Sequence, residues 1–306
     1  MAYDLESPLV IGISSRALFD LEKENEIFEK EGLEAYAAYQ LAHEKDILPK
    51  GPAFALVEAF LNLNRLQEKR LVEVIIMSRN SPDTSLRIIH SIKAHGLDIE
   101  RAALVGGGSI APYLKPFRTD LFLSAYEDDV KRAVDSGVAA AVILTGNVPE
   151  RTSAQLTPIR IAFDGDAVLF SAASERIYQR EGIAAFYAHE QQQAEVPMQK
   201  GPFANFLMTL AHIQSLFADR DQAPVRTALV TARSTPGHER AIKTLRSWGV
   251  RVDEAFFLGG VPKKEILEAF GAHIFFDDQR SHAEPAAELM AAGVVPYREG
   301  DDPWTV

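Results

Sequence analysis

Ile161-Ala162-Phe163-Asp164-Gly165-Asp166-Ala167-Val168 and, 150 residues earlier, Ile11-Gly12-Ile13-Ser14-Ser15-Arg16-Ala17-Leu18 follow one pattern. Each is an apolar run of strand length that stops at a turn of small and polar residues and then resumes. The same offset carries Lys50-Gly51-Pro52 to Lys200-Gly201-Pro202. Further along the offset becomes 153, so that Ser78 answers to Thr231, Gly96 to Gly249, and Gly106-Gly107 to Gly259-Gly260. The chain therefore reads as an internal duplication, with domains at 1–150 and 151–306. The segment 145–157, polar and broken by Gly and Pro, reads as the linker between them. The copies differ at four positions that matter chemically: Ser14, Arg16, Ser124 and Ala125 stand opposite Asp164, Asp166, Asp277 and Asp278.

Outward from these two turns, each half alternates short apolar runs with helical spacing. In the second half, strands are expected at 158–163, 227–230, 255–258, 273–276 and 294–296. Helices are expected at 174–190 and 202–217, and up to Trp248, where Gly249 serves as C-cap. The first half repeats the order with strands at 9–13, 72–77, 102–105, 121–123 and 139–144. Alternating strands and helices imply an α/β fold of parallel sheets covered on both faces. Ligands of such sheets lie beyond the carboxyl ends of the strands. Asp164, Thr231 and Asp277 each follow a predicted strand directly, so this topology would gather them at one edge.

Composition narrows the function classes. Of 306 residues, 47% are hydrophobic and 25% charged, an ordinary globular balance, and each half is long enough to bury its own core. The formal net charge is −11 with no Lys/Arg run, which argues against a nucleic-acid partner. There is no cysteine, hence no disulfide, no thiolate nucleophile and no Cys-ligated zinc. No signal-like N-terminus and no apolar run long enough to span a bilayer is present, so a cytoplasmic protein without membrane contact is expected.

An Asp-x-Asp after a strand is by itself a common turn or cap pattern. The succession Asp164-x-Asp166, Thr231, Lys243, Asp277-Asp278 is harder to read that way, and it matches the needs of phosphoryl transfer. A carboxylate nucleophile splits a difficult hydrolysis into two steps. Mg²⁺, which prefers carboxylate and water oxygens, offsets the repulsion between that nucleophile and an anionic phosphate. A second carboxylate two residues on can protonate the leaving oxygen and then activate water. A hydroxyl and a lysine hold the phosphate oxygens.

These motifs resemble those of the haloacid dehalogenase-like (HAD) phosphohydrolases. The whole chain is similar, more closely, to the type I cytosolic 5′-nucleotidases. That likeness rests on Ser14-Ser15-Arg16-Ala17-Leu18-Phe19-Asp20, Gly51-Pro52-Ala53-Phe54, Tyr113-Leu114-Lys115, Asp164-Gly165-Asp166-Ala167-Val168-Leu169-Phe170-Ser171, Thr231-Ala232-Arg233-Ser234, Lys243-Thr244-Leu245-Arg246-Ser247-Trp248-Gly249 and Phe275-Phe276-Asp277-Asp278-Gln279. The resemblance implies two tandem HAD-like (Rossmannoid) domains, the first degenerate, the second catalytic with a small helical cap at about 171–200. It further implies Asp164 as nucleophile and Asp166 as general acid/base with its main-chain carbonyl on Mg²⁺. Thr231 and Lys243 would bind the phosphate, and Asp277 and Asp278 would complete the metal shell. The implied substrate is a nucleoside 5′-monophosphate such as AMP, IMP or a deoxynucleotide.

On the substrate side, Phe170, Glu175, Phe186, His189 and Lys200 are candidate contacts to base or ribose, and Arg233 and the adjacent Ala232 are candidates at an anionic ligand. In the first half the strand ends carry Ser14, Arg16, Ser78, His90 and Ser124, with no carboxylate pair for Mg²⁺. That half is expected to be a scaffold, lending Arg79 or Asn80 to the pocket, or alternatively to bind a regulatory nucleotide through Arg16. Gly106-Gly107-Gly108-Ser109 could cradle a phosphate, but the matching Gly259-Gly260 favours a structural turn. Other readings are a phosphatase of another small phosphomonoester and a nucleotide sensor without turnover. A homo-oligomer is compatible with all of them.

Overall fold

The computed structural model describes residues 5–144, 157–219, 222–234 and 237–296; the expected linker falls almost wholly outside them. Ten strands are present: β1 Leu9–Ile13, β2 Val72–Ser78, β3 Arg101–Leu104, β4 Leu121–Ser124, β5 Ala139–Ile143, β6 Ile159–Phe163, β7 Val225–Thr231, β8 Glu254–Phe257, β9 Ile274–Asp277 and β10 Ala291–Val294. They form one continuous sheet in the order β3-β2-β1-β4-β5-β10-β9-β6-β7-β8. Read outward from its middle, the sheet runs 5-4-1-2-3 in one direction and 10-9-6-7-8 in the other.

Every neighbouring pair is parallel except β5 and β10, which meet antiparallel with Ile143 opposite Gly293 and Val142 opposite Val294. Two separate sheets were the expectation; a single sheet joins them. Pairing the last strand of each half covers two edges that would otherwise expose unpaired N–H and C=O groups. The seam is tight. A Cβ at Gly293 would lie 2.8 Å from Ala141 Cβ and 2.8 Å from the Phe276 ring, so no side chain fits there.

Strands β1 and β6 lie between two parallel neighbours, and β1 is buried at every residue. Continuous apolar runs such as Leu-Val-Ile-Gly-Ile suit strands covered on both faces. The last strand sits three residues earlier than its expected place, at Ala291–Val294 rather than 294–296. Pro296 has no N–H for a ladder, while Ala291 and Ala292, weak strand formers, are drawn in by pairing with β9.

The predicted helix over 174–190 is a hairpin. Ala173–Gln192 is interrupted at Gly182, which takes φ +81°, a left-handed value that favours glycine. The first half carries the same device, Glu22–Glu31 and Leu33–Ala42 around Gly32 at φ +86°. A helical insertion is therefore not peculiar to the second half. The repeated Lys-Gly-Pro has a steric cause. A Cβ at Gly201 would come within 2.5 Å of the Val168 and Phe170 carbonyl oxygens, and one at Gly51 within 2.6 Å of Phe19 backbone.

Candidate active site

Strand alternation places the chemistry. Phe163 and Phe276 stack at 5.7 Å between centroids beneath the ends of β6 and β9, and Phe203 packs against Phe276 at 4.6 Å. Burial of each such ring stabilises by about 1.5–3 kcal/mol. The next residues, Asp164 and Asp277, are thereby held side by side. The Asp164 N–H donates to the Phe276 carbonyl at 2.8 Å, which ties the turn to β9. Gly165 leaves Thr231 room at the end of β7, since a Cβ there would press on Thr231 Oγ1 at 3.2 Å. The turn closes with Leu169 and Phe170 N–H groups donating to the Gly165 carbonyl.

Asp164, Asp277 and Asp278 each offer a carboxylate oxygen, and these lie within 4.8 Å of one another. It is the sole such group of three or more acidic or histidine ligands among the described residues. Asp277 is further held by the Gln279 N–H at 2.8 Å and His282 Nδ1 at 3.3 Å. Three converging hard oxygens, crowded at a distance that a divalent cation relieves, fit Mg²⁺ chemistry.

The lysine among them is Lys263, not Lys243. Lys263 opens the helix Lys263–Phe270, directly beyond Gly259-Gly260 and the end of β8. Its Nζ donates to Asp277 Oδ2 at 2.6 Å and lies 2.8 Å from Asp164 Oδ1. Lys243 is the seventh residue of the helix Gly237–Ser247, about 9 Å along its axis at 1.5 Å per residue. Its ammonium binds Glu195 and Glu239 at the surface and does not reach the cluster. The strand-end rule that locates the aspartates would have selected Lys263, because Pro262 marks a helix starting at that same edge.

Electrostatics follow from burial. Desolvation, with Asp277 and Asp166 nearby and Lys263 opposing, pushes Asp164 up to about 7. Desolvation and the charges of Asp164 and Asp277 push Asp278 up to about 9. For Asp277 burial is outweighed by His282, Lys263 and the Gln279 N–H, and its pKa falls. Burial disfavours the Lys263 ammonium, but Asp164 and Asp277 more than offset this and keep it protonated.

Asp166 takes no part in the three-carboxylate group. Its carboxylate receives Arg233 Nε at 2.7 Å on Oδ2 and Nη2 at 2.6 Å on Oδ1. Arg233 is buried and its Nη1 binds Glu190 of the hairpin, so the guanidinium is engaged within the protein rather than open to an anionic ligand. Thr231 Oγ1 accepts from the Arg233 N–H at 3.3 Å, and Ala232 is exposed at the turn. Phe170 is fully buried, 5.7 Å from Trp248, and belongs to the core. Lys200 Nζ donates to Asn205 at 3.1 Å. Phe186 is also buried, against Arg233, and His189 Nε2 lies 3.2 Å from Arg240 Nη1. Of the hairpin candidates only Glu175 senses the site: burial and then the Asp166 charge raise its pKa.

In the first half the corresponding positions hold hydroxyls. Ser15 and Ser78 Oγ lie 3.2 Å apart, Ser14 caps the short helix after β1, and Ser124 Oγ accepts from the Tyr126 N–H. Arg16 is paired with Glu22 at 2.9 Å and lies over the Tyr126 ring. His90 Nδ1 is 3.0 Å from the Glu44 carbonyl. The N–H groups of Gly106, Gly107 and Gly108 donate to Asn80, Arg79 and Val105 carbonyls, so this glycine run is a turn and not an open cradle.

A 5′-nucleotidase family model matches residues 1–302. Human cytosolic 5′-nucleotidase 1B is 39% identical over 294 residues, covering 93% of this chain and 48% of that protein. The chain thus spans about half the length of this relative. A universal stress protein structure from Pseudomonas aeruginosa aligns over 95% of this chain and 94% of its own at 11% identity, with a TM-score of 0.36, too distant to bear on the site. Among the described residues no helix is long and apolar enough to cross a membrane.

Proposed function

The chain belongs to the 5′-nucleotidase family, a family of phosphoric monoester hydrolases, and on that premise we propose that it hydrolyses nucleoside 5′-monophosphates to nucleoside and phosphate in the cytoplasm. The observation that carries this reading is the convergence of Asp164, Asp277 and Asp278 on one strand edge with the buried ammonium of Lys263. Asp164 Oδ attacks phosphorus as the bond to the 5′ oxygen breaks, and Asp166 passes its proton to that oxygen. Asp166 then takes a proton from water, whose oxygen attacks phosphorus; the bond to Asp164 breaks and phosphate leaves. Lys263 and the Thr231 hydroxyl stabilise charge on the phosphoryl oxygens. Asp164, Asp277, Asp278 and the Asp166 main-chain carbonyl would hold Mg²⁺, which when bound neutralises charge on nucleophile and phosphate.

The same reading takes the two halves as products of an internal duplication, divided near 150, of which only the second is catalytic; their matching strand order supports it. The helical hairpin Ala173–Gln192 is the cap, with Glu175 in its first turn near enough to the Asp166 charge to be affected by it. The first half serves as scaffold, since its strand-end serines are engaged internally, Ser15 with Ser78 and Ser14 and Ser124 with the Ala17 and Tyr126 N–H groups. The test is phosphate release from AMP, IMP and their deoxy forms with and without Mg²⁺, for wild type and Asp164→Asn. Turnover by wild type alone is expected. Full activity in Asp164→Asn would remove the nucleophile assignment, and no turnover by wild type would favour a sensor.

A further inference from the structure

We propose that Arg233 is a positioning residue: a buried latch that aims Asp166 and ties its orientation to the seating of the hairpin Ala173–Gln192. This rests on the reading of Asp166 as the group that protonates the leaving oxygen. The guanidinium is planar and rigid, and a two-pronged pair with a carboxylate fixes the carboxylate plane as well as its place. Here Nε and Nη2 take one oxygen each of Asp166 at 2.7 and 2.6 Å. A carboxylate has about four lone-pair directions, so the fork leaves one on each oxygen for a proton. The third nitrogen, Nη1, binds Glu190 on the second helix of the hairpin. Glu190 is fully buried and its other oxygen receives Ser174 Oγ at 2.7 Å and Arg240 Nη1 at 2.9 Å. The chain Asp166–Arg233–Glu190 therefore runs from the catalytic turn to both ends of the hairpin, with the rings of Phe170 and Phe186 closing over the guanidinium at 5.8 and 5.3 Å.

The first half supplies a control inside the same molecule. At the matching positions Asp166, Glu190 and Arg233 become Arg16, Gln40 and Asn80. All three charged members are replaced together, although the hairpin and the strand order are kept. There Arg16 turns outward to Glu22, and Gln40 Nε2 donates to Tyr36 within its own helix. The first-half hairpin is seated instead by the buried pair Arg87–Glu24 at 2.5 Å, at the positions that match Arg240 and Ser174. A buried arginine–carboxylate pair under the hairpin is kept in both halves, whereas the arm to Asp166 disappears along with the site carboxylates, which assigns the Arg233–Asp166 arm to aiming Asp166 and the Arg240–Glu190 pair to seating the hairpin.

The experiment compares AMP with its analogue carrying sulfur at the bridging 5′ position, whose thiolate leaves without needing a proton, at saturating Mg²⁺. The variants are Glu190→Gln, which cuts the latch away from the reacting atoms, and Ser174→Glu/Glu190→Gln/Arg233→Asn, which installs the set already accommodated in the first half and leaves Arg240 a carboxylate partner. Loss of an aimed general acid is expected to lower kcat on AMP by about 30-fold or more with KM within about threefold, and to lower kcat on the sulfur analogue by less than about threefold. Glu190→Asp should recover part of the AMP rate. Melting curves identify any variant that has simply unfolded, and for such a variant Glu190→Asp supplies the comparison. Equal losses on both substrates, or no loss on either, would overturn the positioning role while leaving the nucleotidase reading intact. A wild type that turns over no nucleoside monophosphate would overturn both.

Discussion

Replacing Lys263 by Met tests the reassignment of the site lysine most directly. Lys263 Nζ stands 2.8 Å from Asp164 and 2.6 Å from Asp277, all three buried. At an effective dielectric of about 20, unit charges at such separations attract by about 6 kcal/mol per pair, against which burial of the ions must be set. Removing one partner of a buried pair costs about 3–5 kcal/mol of stability, because the remaining charges are left uncompensated. In catalysis the loss of one preorganised donor to developing charge costs about 2.7–4 kcal/mol, or about 10²–10³ in kcat. Lys263→Met should therefore lower kcat on AMP by at least about 100-fold and lower the melting temperature of the metal-free protein. Lys243→Met removes an ammonium bound only to the surface carboxylates Glu195 and Glu239, and should leave kcat within about twofold. Steady-state kinetics and thermal melts on both variants decide the matter. If Lys243→Met loses activity and Lys263→Met keeps it, the placement of the phosphate-binding lysine is wrong.

Three further outcomes follow from the same geometry. Asp164 and Asp278 have pKa values raised to about 7 and about 9, above the usual carboxylate 3.8, so between about pH 4 and pH 9 the folded chain holds protons that the unfolded chain has released. These groups make the metal-free protein less stable as pH rises through that window; melts in chelator should fall with pH and recover with Mg²⁺, and a flat profile would contradict the shared burial. Binding of Mg²⁺ should expel those protons, so calorimetry in buffers of different ionisation enthalpy should show net proton release near pH 7 and apparent affinity rising with pH. Gly201→Ala, whose Cβ would meet two carbonyl oxygens at 2.5 Å, should destabilise by about 3 kcal/mol or more; a melting temperature within a degree of wild type would show that the loop gives way freely.

Much of the site was legible because strand-end chemistry is local. Thr231 and Asp277 end, and Asp164 directly follows, a strand that an apolar run announces, and parallel topology leaves them one edge to share. Lys243 follows the motif order yet its ammonium lies with Glu195 and Glu239, because an order in sequence says nothing of how far down a helix a side chain lies. Arg233 differs: a cation beside an anion site reads as a ligand contact, and only the approach of Glu190 from the hairpin shows it to be internally engaged. Phe170 and Phe186 looked available for a base and are buried: Phe170 because a short apolar turn folded under Gly201 has no solvent face, Phe186 because it closes over Arg233 from the hairpin.

By itself the amino-acid sequence determined the alternation of strands and helices, the two-part order and the presence of strand-end carboxylates in the second half alone. Each of these depends on periodicity or on residue type at fixed spacing, which are properties of the chain before it folds. Three matters were decided by tertiary structure alone: the joining of both halves into one sheet through β5 and β10, the nearness of Lys263 rather than Lys243 to the carboxylates, and the binding of Arg233 to both Asp166 and Glu190. These are contacts between residues 14 to about 150 positions apart. Which partner a charge finds across such a separation is settled by packing and by the cost of leaving it buried and unpaired, and neither is written in the local pattern.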